Sequence, residues 1–267
     1  MTDQDLQLND GRSMPRLGLG TYQLPDAQTP GVVRAALDLG YRLIDTAALY
    51  HNERGVGDGV RGSETFVTTK LWNDRHDDAD AALAESLALL GLDAVDLYLI
   101  HWPAPREGRF VDAWRALVRL RDAGLARSIG VSNFEPEHLD AIAQATGVVP
   151  AVNQIELHPR FQQRALRAYH ERHGIVTQSW SPLGQGGPLL REPAIAEVAA
   201  RHNASAAQVV IAWHLRHGLS VIPKAGDPAH LKENIGATEL ALTPEDMAAI
   251  DALDSPDGRI GPDPMTF

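Results

Sequence analysis

Cysteine is absent from this chain of 267 residues, and basic residues are fewer than acidic ones. The absence of cysteine excludes disulfides, thiolate chemistry and cysteine-based metal sites. The shortage of Lys and Arg leaves a formal net charge of −11, which would repel a phosphate backbone, so we predict no nucleic-acid partner. A local basic pocket for one phosphorylated ligand is still compatible with this overall charge.

Long apolar stretches are also missing. No uninterrupted apolar run approaches the length that spans a membrane, and the first ten residues, MTDQDLQLND, lack the basic and apolar regions of a signal peptide. We therefore predict a cytoplasmic protein with no membrane partner. The composition, 44% hydrophobic and 22% charged, suits a globular protein, and its uniformity along the chain predicts one domain over residues 1–267.

Short β-prone runs alternate with Ala- and Leu-rich amphipathic segments along most of the chain. The eight predicted strands are 16–20, 41–46, 64–69, 94–100, 126–132, 151–155, 175–180 and 220–223. Eight strand–helix units in about 250 residues predict a closed (β/α)8 TIM barrel, because parallel strands need helical crossovers. An open doubly wound sheet is the alternative, although no strand is followed by a complete GxGxxG motif.

Three segments fall outside this alternation. Asp10-Gly11 lies between two short alternating runs and predicts an amino-terminal β-hairpin. Residues 192–217 have the pattern of two helices in series, and TPEDMAAIDAL, residues 243–253, predicts another helix after the eighth unit. We interpret these as extra helices near the carboxyl terminus of the barrel and not as a second domain.

Polar or aromatic residues recur where the predicted strands end. They are Asp45, Lys70, His101, Asn133, Gln154, Trp180 and Lys224. In a (β/α)8 barrel the carboxyl ends of all strands open on one face, which is where active sites are built. The sequence therefore predicts that these side chains, with Tyr50 shortly after Asp45, belong to one pocket.

Asp45, Tyr50, Lys70 and His101 suit proton transfer to a carbonyl oxygen. A phenol has an unperturbed pKa near ~10 and is a poor acid at neutral pH unless a cation stabilises the phenolate. Lys70 is the predicted cation for Tyr50, and lowering the phenol pKa by ~2 units requires roughly 3 kcal/mol. Asp45 is the predicted counter-ion of Lys70, and His101 can donate a hydrogen bond to a substrate oxygen. The hydride must then come from a cofactor.

The remaining strand-end residues suit a nicotinamide cofactor. Ser132, Asn133 and Gln154 offer side-chain donors and acceptors to a planar carboxamide, and Trp180 offers a flat face to the ring. SPLGQGG at 181–187 is a glycine-rich loop that could approach a pyrophosphate. Lys224 follows the last strand and could meet a 2'-phosphate.

Six motifs carry a resemblance to a known family. They are GYRLIDTAALYHNERGVG (40–57), TTKLW (68–72), IHWP (100–103), RSIGVSNF (127–134), VNQIELHP (152–159) and SWSPLGQG (179–186). In this order they resemble the aldo-keto reductase superfamily over nearly the whole chain, notably the prokaryotic branch with the 2,5-diketo-D-gluconate reductases. The resemblance implies a monomeric NADPH-dependent reductase of small aldehydes, α-dicarbonyls or keto-sugars, whose amino-terminal hairpin closes the barrel bottom.

The resemblance also implies a role for each matched residue. Tyr50 would be the proton donor, Asp45 and Lys70 would tune it, and His101 would orient the carbonyl. The residues implied to bind the cofactor are Gly20, Thr21, Tyr22, Asp45, Ser132, Asn133, Gln154, Trp180, Ser181, Leu183, Gly184, Gln185, Lys224, His230, Glu233 and Asn234. The implied substrate pocket consists of Tyr22, Tyr50, Trp72, His101, Trp102 and the carboxyl-terminal tail.

The sequence departs from the family pattern at the implied 2'-phosphate site. Family members usually follow the lysine with hydroxyl residues and an arginine, whereas this chain has Ala225 and Asp227 for the hydroxyls and His230 for the arginine. Losing a charged guanidinium and adding a carboxylate would weaken phosphate binding by ~1 to 3 kcal/mol. We therefore predict that NADPH is used and that NADH competes unusually well.

Two other function classes and one metal hypothesis were weighed against the reductase. A nicotinamide-nucleotide-binding regulatory protein with little turnover is the first alternative, and a barrel lyase or isomerase without nicotinamide is the second. The pairs His170 with His173 and His214 with His217 have helical spacing that could hold a metal. No third ligand lies nearby in sequence, so we predict a solvated helix face at both pairs and no metal site.

Overall fold

The computed structural model describes residues 5–267, and this part of the chain begins with an antiparallel hairpin. The first four residues, which belong to the segment predicted to lack a signal peptide, lie outside the described residues. The hairpin strands are β1 (Leu6–Gln7) and β2 (Ser13–Met14), and Gly11 in the turn has a φ of 86°, which glycine adopts without strain. Met14 is fully buried among apolar residues of the barrel interior. The hairpin therefore packs against the barrel as predicted.

Eight parallel strands form one closed sheet. They are β3 (Leu19–Gly20), β4 (Leu43–Asp45), β5 (Phe66–Leu71), β6 (Val95–Ile100), β7 (Ala126–Ser132), β8 (Val152–Glu156), β9 (Val176–Trp180) and β10 (Ser220–Val221). Each strand pairs with the next one in the chain, and the parallel bridges Leu17–Val221 and Gly20–Lys224 join the first strand to the last. The predicted (β/α)8 barrel is confirmed, and the open doubly wound alternative is wrong.

Helices cover the outside of the barrel. Within residues 5–267 they are α1 (Thr29–Asp38), α2 (Glu53–Val60), α3 (Ala79–Leu90), α4 (Phe110–Asp122), α5 (Pro136–Thr146), α6 (Arg164–His173), α7 (Pro193–His202), α8 (Ala206–Arg216), α9 (Pro228–Gly236) and α10 (Pro244–Asp251). α7 and α8 follow one another and α10 ends the series, as predicted. No helix in this part of the chain is long and apolar enough to cross a bilayer.

Strand alternation decides which side chains reach the barrel interior. In β6, Leu97 and Leu99 pack in the interior cluster, whereas Tyr98 packs in the outer cluster between the sheet and the helices. A period of two places His101, the residue after β6, in the same inward row as Leu99. The polar residues at the carboxyl ends of the strands therefore continue the inward-facing apolar rows, and they converge on one end of the barrel.

The buried histidines correct one prediction. His170 and His214 are fully buried and do not lie on a solvated helix face. The ring of His170 is held between Asn153, 2.9 Å from Nε2, and Thr177, 2.8 Å from Nδ1, because α6 packs directly on the strands. Among residues 5–267 no cluster of three metal-ligating side chains is found.

Candidate active site

A buried ion pair lies at the carboxyl-terminal end of the barrel. Lys70 Nζ donates to Asp45 Oδ1 at 2.6 Å and to the carbonyl oxygen of Thr46 at 2.8 Å, and both charged side chains are inaccessible to solvent. Burial raises the pKa of the Asp45 carboxyl and lowers the pKa of the Lys70 ammonium, and each charge opposes the shift in the other. Asp45 is therefore the counter-ion that the sequence predicted for Lys70.

Tyr50 lies directly above this pair. It ends a short 3-10 helix, Ala48–Tyr50, and its Oη is 3.5 Å from Lys70 Nζ. Burial raises the pKa of Tyr50 well above its usual range, and the nearby Asp45 and Tyr22 raise it further. The expected lowering of this pKa by Lys70 is not found, because burial of the phenol has the largest effect on it. The phenol consequently keeps its proton at neutral pH.

His101 forms a tetrad with Asp45, Tyr50 and Lys70. Its ring meets the Tyr50 ring edge-on with centroids 5.7 Å apart, and its Nδ1 atom is buried without a hydrogen-bond partner. Burial, with the charge of Lys70, places the pKa of His101 well below its usual value. The imidazole is therefore neutral and can donate one hydrogen bond, which suits a group that orients a carbonyl oxygen.

Ser132, Asn133 and Trp180 form a connected polar network beside His101. Trp180 Nε1 donates to Asn133 Oδ1 at 2.7 Å, and Asn133 Nδ2 donates to Ser132 Oγ and to the carbonyl oxygen of His101, both at 3.0 Å. Asn133 has a φ of 63°, the left-handed conformation that asparagine tolerates better than most residues. The predicted carboxamide residues are thus brought together. Trp180, whose flat face was predicted to stack on a nicotinamide ring, is linked to them through its indole N–H.

Gln154 joins this network to the ion pair. Its Nε2 donates to Asp45 Oδ2 at 2.8 Å and to Gln178 Oε1 at 2.7 Å, and Gln178 in turn donates to Ser220 Oγ at 2.9 Å. Both amide hydrogens of Gln154 are thereby used within the protein, and its Oε1 is the atom left to meet a ligand donor.

Several other residues predicted to bind the cofactor lie around the closure of the barrel and on α9. Gly20 and Lys224 face each other across a parallel bridge, and the Lys224 side chain is exposed. Thr21 Oγ1 donates to the carbonyl oxygen of Asp45 at 2.9 Å. His230 is exposed on α9, where Glu233 is half-buried and Asn234 is buried.

The loop after β9 has an irregular backbone. Ser181, Gly184, Gln185 and Gly186 have φ values of 47°, 58°, 58° and 69°, so four residues of one short loop lie in the left-handed region. Leu183 in this loop is half-buried. Successive amide groups in turn and left-handed conformations can form a concavity that binds an anion.

Asp227 is the residue that argues against a 2'-phosphate. Its Oδ1 accepts a hydrogen bond from the backbone amide of Ala229 at 2.7 Å and caps the amino terminus of α9. A carboxylate there uses the positive end of the helix that an anionic ligand would otherwise meet. The side-chain donors and acceptors around Asp45, Tyr50, Lys70 and His101 are of the types that fit a nicotinamide carboxamide.

Aromatic rings surround the mouth of the site. Tyr22 is 52% exposed and its ring centroid is 5.1 Å from that of Tyr50, while Trp72 meets His101 edge-on at 5.1 Å. Phe267, the last residue of the chain, lies 4.6 Å from Trp102 between ring centroids. The tail thus reaches the predicted substrate pocket.

The sequence interpretation missed several residues of this arrangement. Gln178 was not assigned, although it is a polar residue at an inward position of β9. Buried Glu53, which accepts a hydrogen bond from Thr69 Oγ1 at 2.6 Å, was also missed, as was buried Glu156 at the end of β8. For Glu156, a charged residue at the end of an apolar strand was the available signal, because such residues are seldom buried without a partner.

A separate cavity lies beside α6, next to the carboxyl-terminal ends of α8 and α10. Its volume is about 520 Å³, and its lining includes Arg164, Arg167, His217 and Asp251, but no member of the tetrad. His217 Nε2 already contacts Asp251 Oδ1 at 2.9 Å. The carboxyl ends of the strands, and not this cavity, hold the convergent polar groups that proton transfer requires.

Comparisons with known proteins point to one family. Residues 16–255 match the Aldo/keto reductase family. The methylglyoxal reductase DkgA of Yersinia pestis is 50% identical, with 100% of this chain and 99% of that protein covered. DkgA of Escherichia coli (strain K12) is 45% identical with 98% and 97% covered, and an aldo-keto reductase of Mycobacterium sp. (strain JLS) is 49% identical with 97% and 96% covered.

Solved structures agree with these sequence relatives. The structure of Gox0644 without ligand has a TM-score of 0.96 and 51% identity, and it covers 99% of this chain and 98% of its own. A mutant of Gox0644 in complex with NADPH has a TM-score of 0.98 and 51% identity over 100% of this chain and 99% of its own.

Proposed function

The chain belongs to the aldo/keto reductase family, and on that premise we propose that it reduces small aldehydes, α-dicarbonyls or keto-sugars with NADPH. One observation carries the proposal more than any other. It is the buried Lys70–Asp45 pair with the phenol of Tyr50 at 3.5 Å and the neutral ring of His101 beside it. Relatives named methylglyoxal reductase and a structural relative bound to NADPH support the same reaction class.

Tyr50 is proposed as the proton donor. Bound NADPH supplies the hydride to the carbonyl carbon. As the carbonyl oxygen becomes an alkoxide, the Oη–H bond of Tyr50 breaks and its proton passes to that oxygen, which leaves an alcohol and a phenolate. The raised pKa of Tyr50 keeps the proton in place until the alkoxide, a much stronger base, develops. Lys70, 3.5 Å from Oη, then stabilises the phenolate.

Asp45 and His101 have supporting roles in this proposal. Asp45 holds Lys70 in its charged form, because a buried ammonium without a counter-ion would lose its proton. Neutral His101 donates one hydrogen bond to the carbonyl oxygen, which positions it against Tyr50 and polarises it.

The proposed cofactor residues follow from the same arrangement. Ser132, Asn133 and Gln154 hold the carboxamide, and Trp180 lies against the ring. Lys224 meets the 2'-phosphate, whereas Asp227 at the start of α9 opposes it. We therefore propose that NADPH is used, with NADH as an unusually good competitor.

An α-dicarbonyl is the first substrate class to test. The pocket is walled by Tyr22, Trp72 and Trp102, whose rings suit small uncharged carbonyl compounds. The DkgA relatives are named for the reduction of methylglyoxal, which is an α-dicarbonyl.

The test is NADPH oxidation with methylglyoxal, a simple aromatic aldehyde and 2,5-diketogluconate, together with titration of protein fluorescence by NADPH. We expect turnover with at least one carbonyl. Tight NADPH binding without turnover on any of them would contradict the reductase and favour a nucleotide-binding regulatory protein.

A further inference from the structure

The carboxyl-terminal tail, residues 255–267, is attached to the loop that follows β8. The backbone amide of Ser255 donates to the carbonyl oxygen of Arg160 at 3.1 Å, and the Arg259 guanidinium lies 4.7 Å from the centroid of the Phe161 ring. Gly258 lies so close to Arg160 that a Cβ atom there would be 1.8 Å from the Arg160 carbonyl oxygen. The tail is therefore packed against this loop before it reaches the pocket.

Glu156, the last residue of β8, holds the tail by its backbone. Its Oε1 accepts the amide of Ile260 and its Oε2 accepts the amide of Gly261, both at 2.7 Å. His158 Nε2 contacts Oε1 at 3.2 Å, and the Glu156 side chain is only 1% exposed. A carboxylate accepts such bonds at both oxygens, and bonds to an ionised group are the stronger kind. The reductase chemistry described above makes no use of this buried charge.

The tail segment bound by Glu156 packs closely against Trp180 at Gly261. A Cβ atom added at Gly261 would lie 2.5 Å from Cη2 of Trp180 and 2.8 Å from Glu156 Oε2. Trp180 in turn donates its indole hydrogen to Asn133, and Asn133 donates to the carbonyl oxygen of His101. Glu156 is thus linked, through one glycine and one indole, to the predicted nicotinamide site.

Six residues after Gly261, the tail reaches the predicted substrate pocket with Phe267. Asp263 accepts the amides of Thr266 and Phe267 at its carbonyl oxygen, which turns the chain end inward. The Phe267 ring then packs at 4.6 Å from Trp102 and 6.4 Å from Trp72. One strap of chain therefore contacts both the cofactor side and the substrate side of the pocket.

We propose that Glu156 is a positioning residue that sets cofactor and substrate affinity together. By fixing the amides of Ile260 and Gly261, it holds Trp180 at the nicotinamide site and Phe267 at the substrate wall. The inference rests on the proposed function for the identity of the two ligands. It makes no demand on the proton-transfer step, which belongs to Tyr50.

We call the contact of Glu156 with the amides of Ile260 and Gly261 the clamp. Two variants test it, one by changing Glu156 and the other by changing the tail. Glu156→Gln replaces one acceptor oxygen by an amide that cannot accept, so one of the tail bonds is lost. Gly261→Ala leaves Glu156 intact and forces the tail away from Trp180 by its methyl group. Leu89→Ala is the control, because its side chain is 38% exposed on α3, outside the tail and the pocket.

We expect both test variants to bind NADPH about tenfold more weakly, the equivalent of one charge-assisted hydrogen bond. KM for the carbonyl should rise by a similar factor while kcat stays within about twofold of wild type. Hydrogen exchange at residues 255–267 should accelerate, and the double variant should be no worse than either single variant because both break one contact. Leu89→Ala should match wild type in every measurement.

The outcomes separate this inference from the proposed function. If wild type turns over but tail exchange and NADPH affinity are unchanged in Glu156→Gln and Gly261→Ala, the clamp is refuted and the reductase stands. If wild type never turns over, faster tail exchange and weaker NADPH binding in the variants still support the clamp. A loss confined to kcat, or a general loss of folding in Gly261→Ala, would overturn the positioning role.

Discussion

At the residue scale, the grouping of the four tetrad residues in one pocket could be predicted, because ionisable residue types follow the apolar strands at their carboxyl ends. Asp45, Lys70 and His101 end inward rows of β4, β5 and β6, so strand periodicity alone brings them together. The direction of the Tyr50 pKa could not be predicted in the same way. It depends on how deeply the phenol is buried and on the nearby charge of Asp45, and both are properties of the packed site.

Asp45→Asn tests the buried pair. The change leaves the Lys70 ammonium without its counter-ion in the protein interior, so we expect the free energy of unfolding to fall by about 3 to 5 kcal/mol and kcat to fall with it. Asp58→Asn is the control, because the Asp58–Arg61 pair is exposed and should contribute no more than about 1 kcal/mol. Urea denaturation of both variants measures the difference. Equal losses would contradict the assigned role of burial.

Asp227→Ser tests the cofactor preference. Serine can still cap α9, so stability should change little, but the carboxylate that opposes a 2'-phosphate is removed. We expect the ratio of kcat/KM for NADPH to that for NADH to rise about tenfold, with the value for NADH nearly unchanged. An unchanged ratio would show that Asp227 does not face the phosphate.

At the element scale, the strands were found where apolar runs predicted them, whereas the meaning of one glycine motif was not apparent from sequence. GVGDGV, an incomplete match to a dinucleotide-binding loop, lies within α2. A Cβ atom at Gly57 would be 2.1 Å from the carbonyl oxygen of Leu90 at the end of α3. These glycines therefore allow close helix packing, which depends on a neighbour distant in sequence.

Two helical glycines should respond to alanine with opposite signs. Gly57→Ala should destabilise the protein by about 1 to 3 kcal/mol, because the methyl group meets backbone atoms that cannot move aside. Gly31→Ala in α1 has no atom within 4 Å of the added Cβ and should stabilise the protein by up to about 1 kcal/mol. Thermal unfolding of the two variants decides the matter. Destabilisation by both would contradict the packing difference.

At the scale of the whole molecule, alternation of strands and helices predicted the barrel. The family resemblance placed the tail at the substrate pocket, but no residue pattern predicted which residues the tail docks against. SPDGRIGPDPMTF has no period, and its position is set by backbone contacts to Glu156 and Arg160. Such contacts use amides that every residue has. The types of side chain in the tail therefore give little indication of these backbone contacts. The exceptions are the glycines that lie too close to a neighbour to allow a Cβ atom.

The buried histidines should make the whole fold sensitive to acid. Burial lowers the pKa of His170 to about 3, whereas an unfolded histidine titrates near ~6.5. Between the two pKa values the unfolded chain binds a proton at this histidine and the folded protein does not. Neutral His170 therefore contributes fully to the free energy of unfolding above pH ~6.5, and the contribution declines as the pH falls below that value.

We expect His170 to account for a loss of about 1.4 kcal/mol per pH unit between ~6 and ~4. His170→Gln should reduce the slope of unfolding free energy against pH by that amount, even if it lowers stability at pH 7. Urea denaturation at several pH values measures both slopes. Parallel slopes for variant and wild type would show that His170 is protonated in the folded protein.

The most direct test of the account is the kcat of Tyr50→Phe for methylglyoxal reduction, measured beside Tyr22→Phe and with NADPH affinity determined for both. The two tyrosine rings are neighbours, with centroids 5.1 Å apart, but only the Tyr50 hydroxyl is placed over Lys70. If Tyr50 is the proton donor, Tyr50→Phe loses at least about a hundredfold in kcat and still binds NADPH, whereas Tyr22→Phe keeps most of its activity. A kcat for Tyr50→Phe within a few fold of wild type would contradict the central claim.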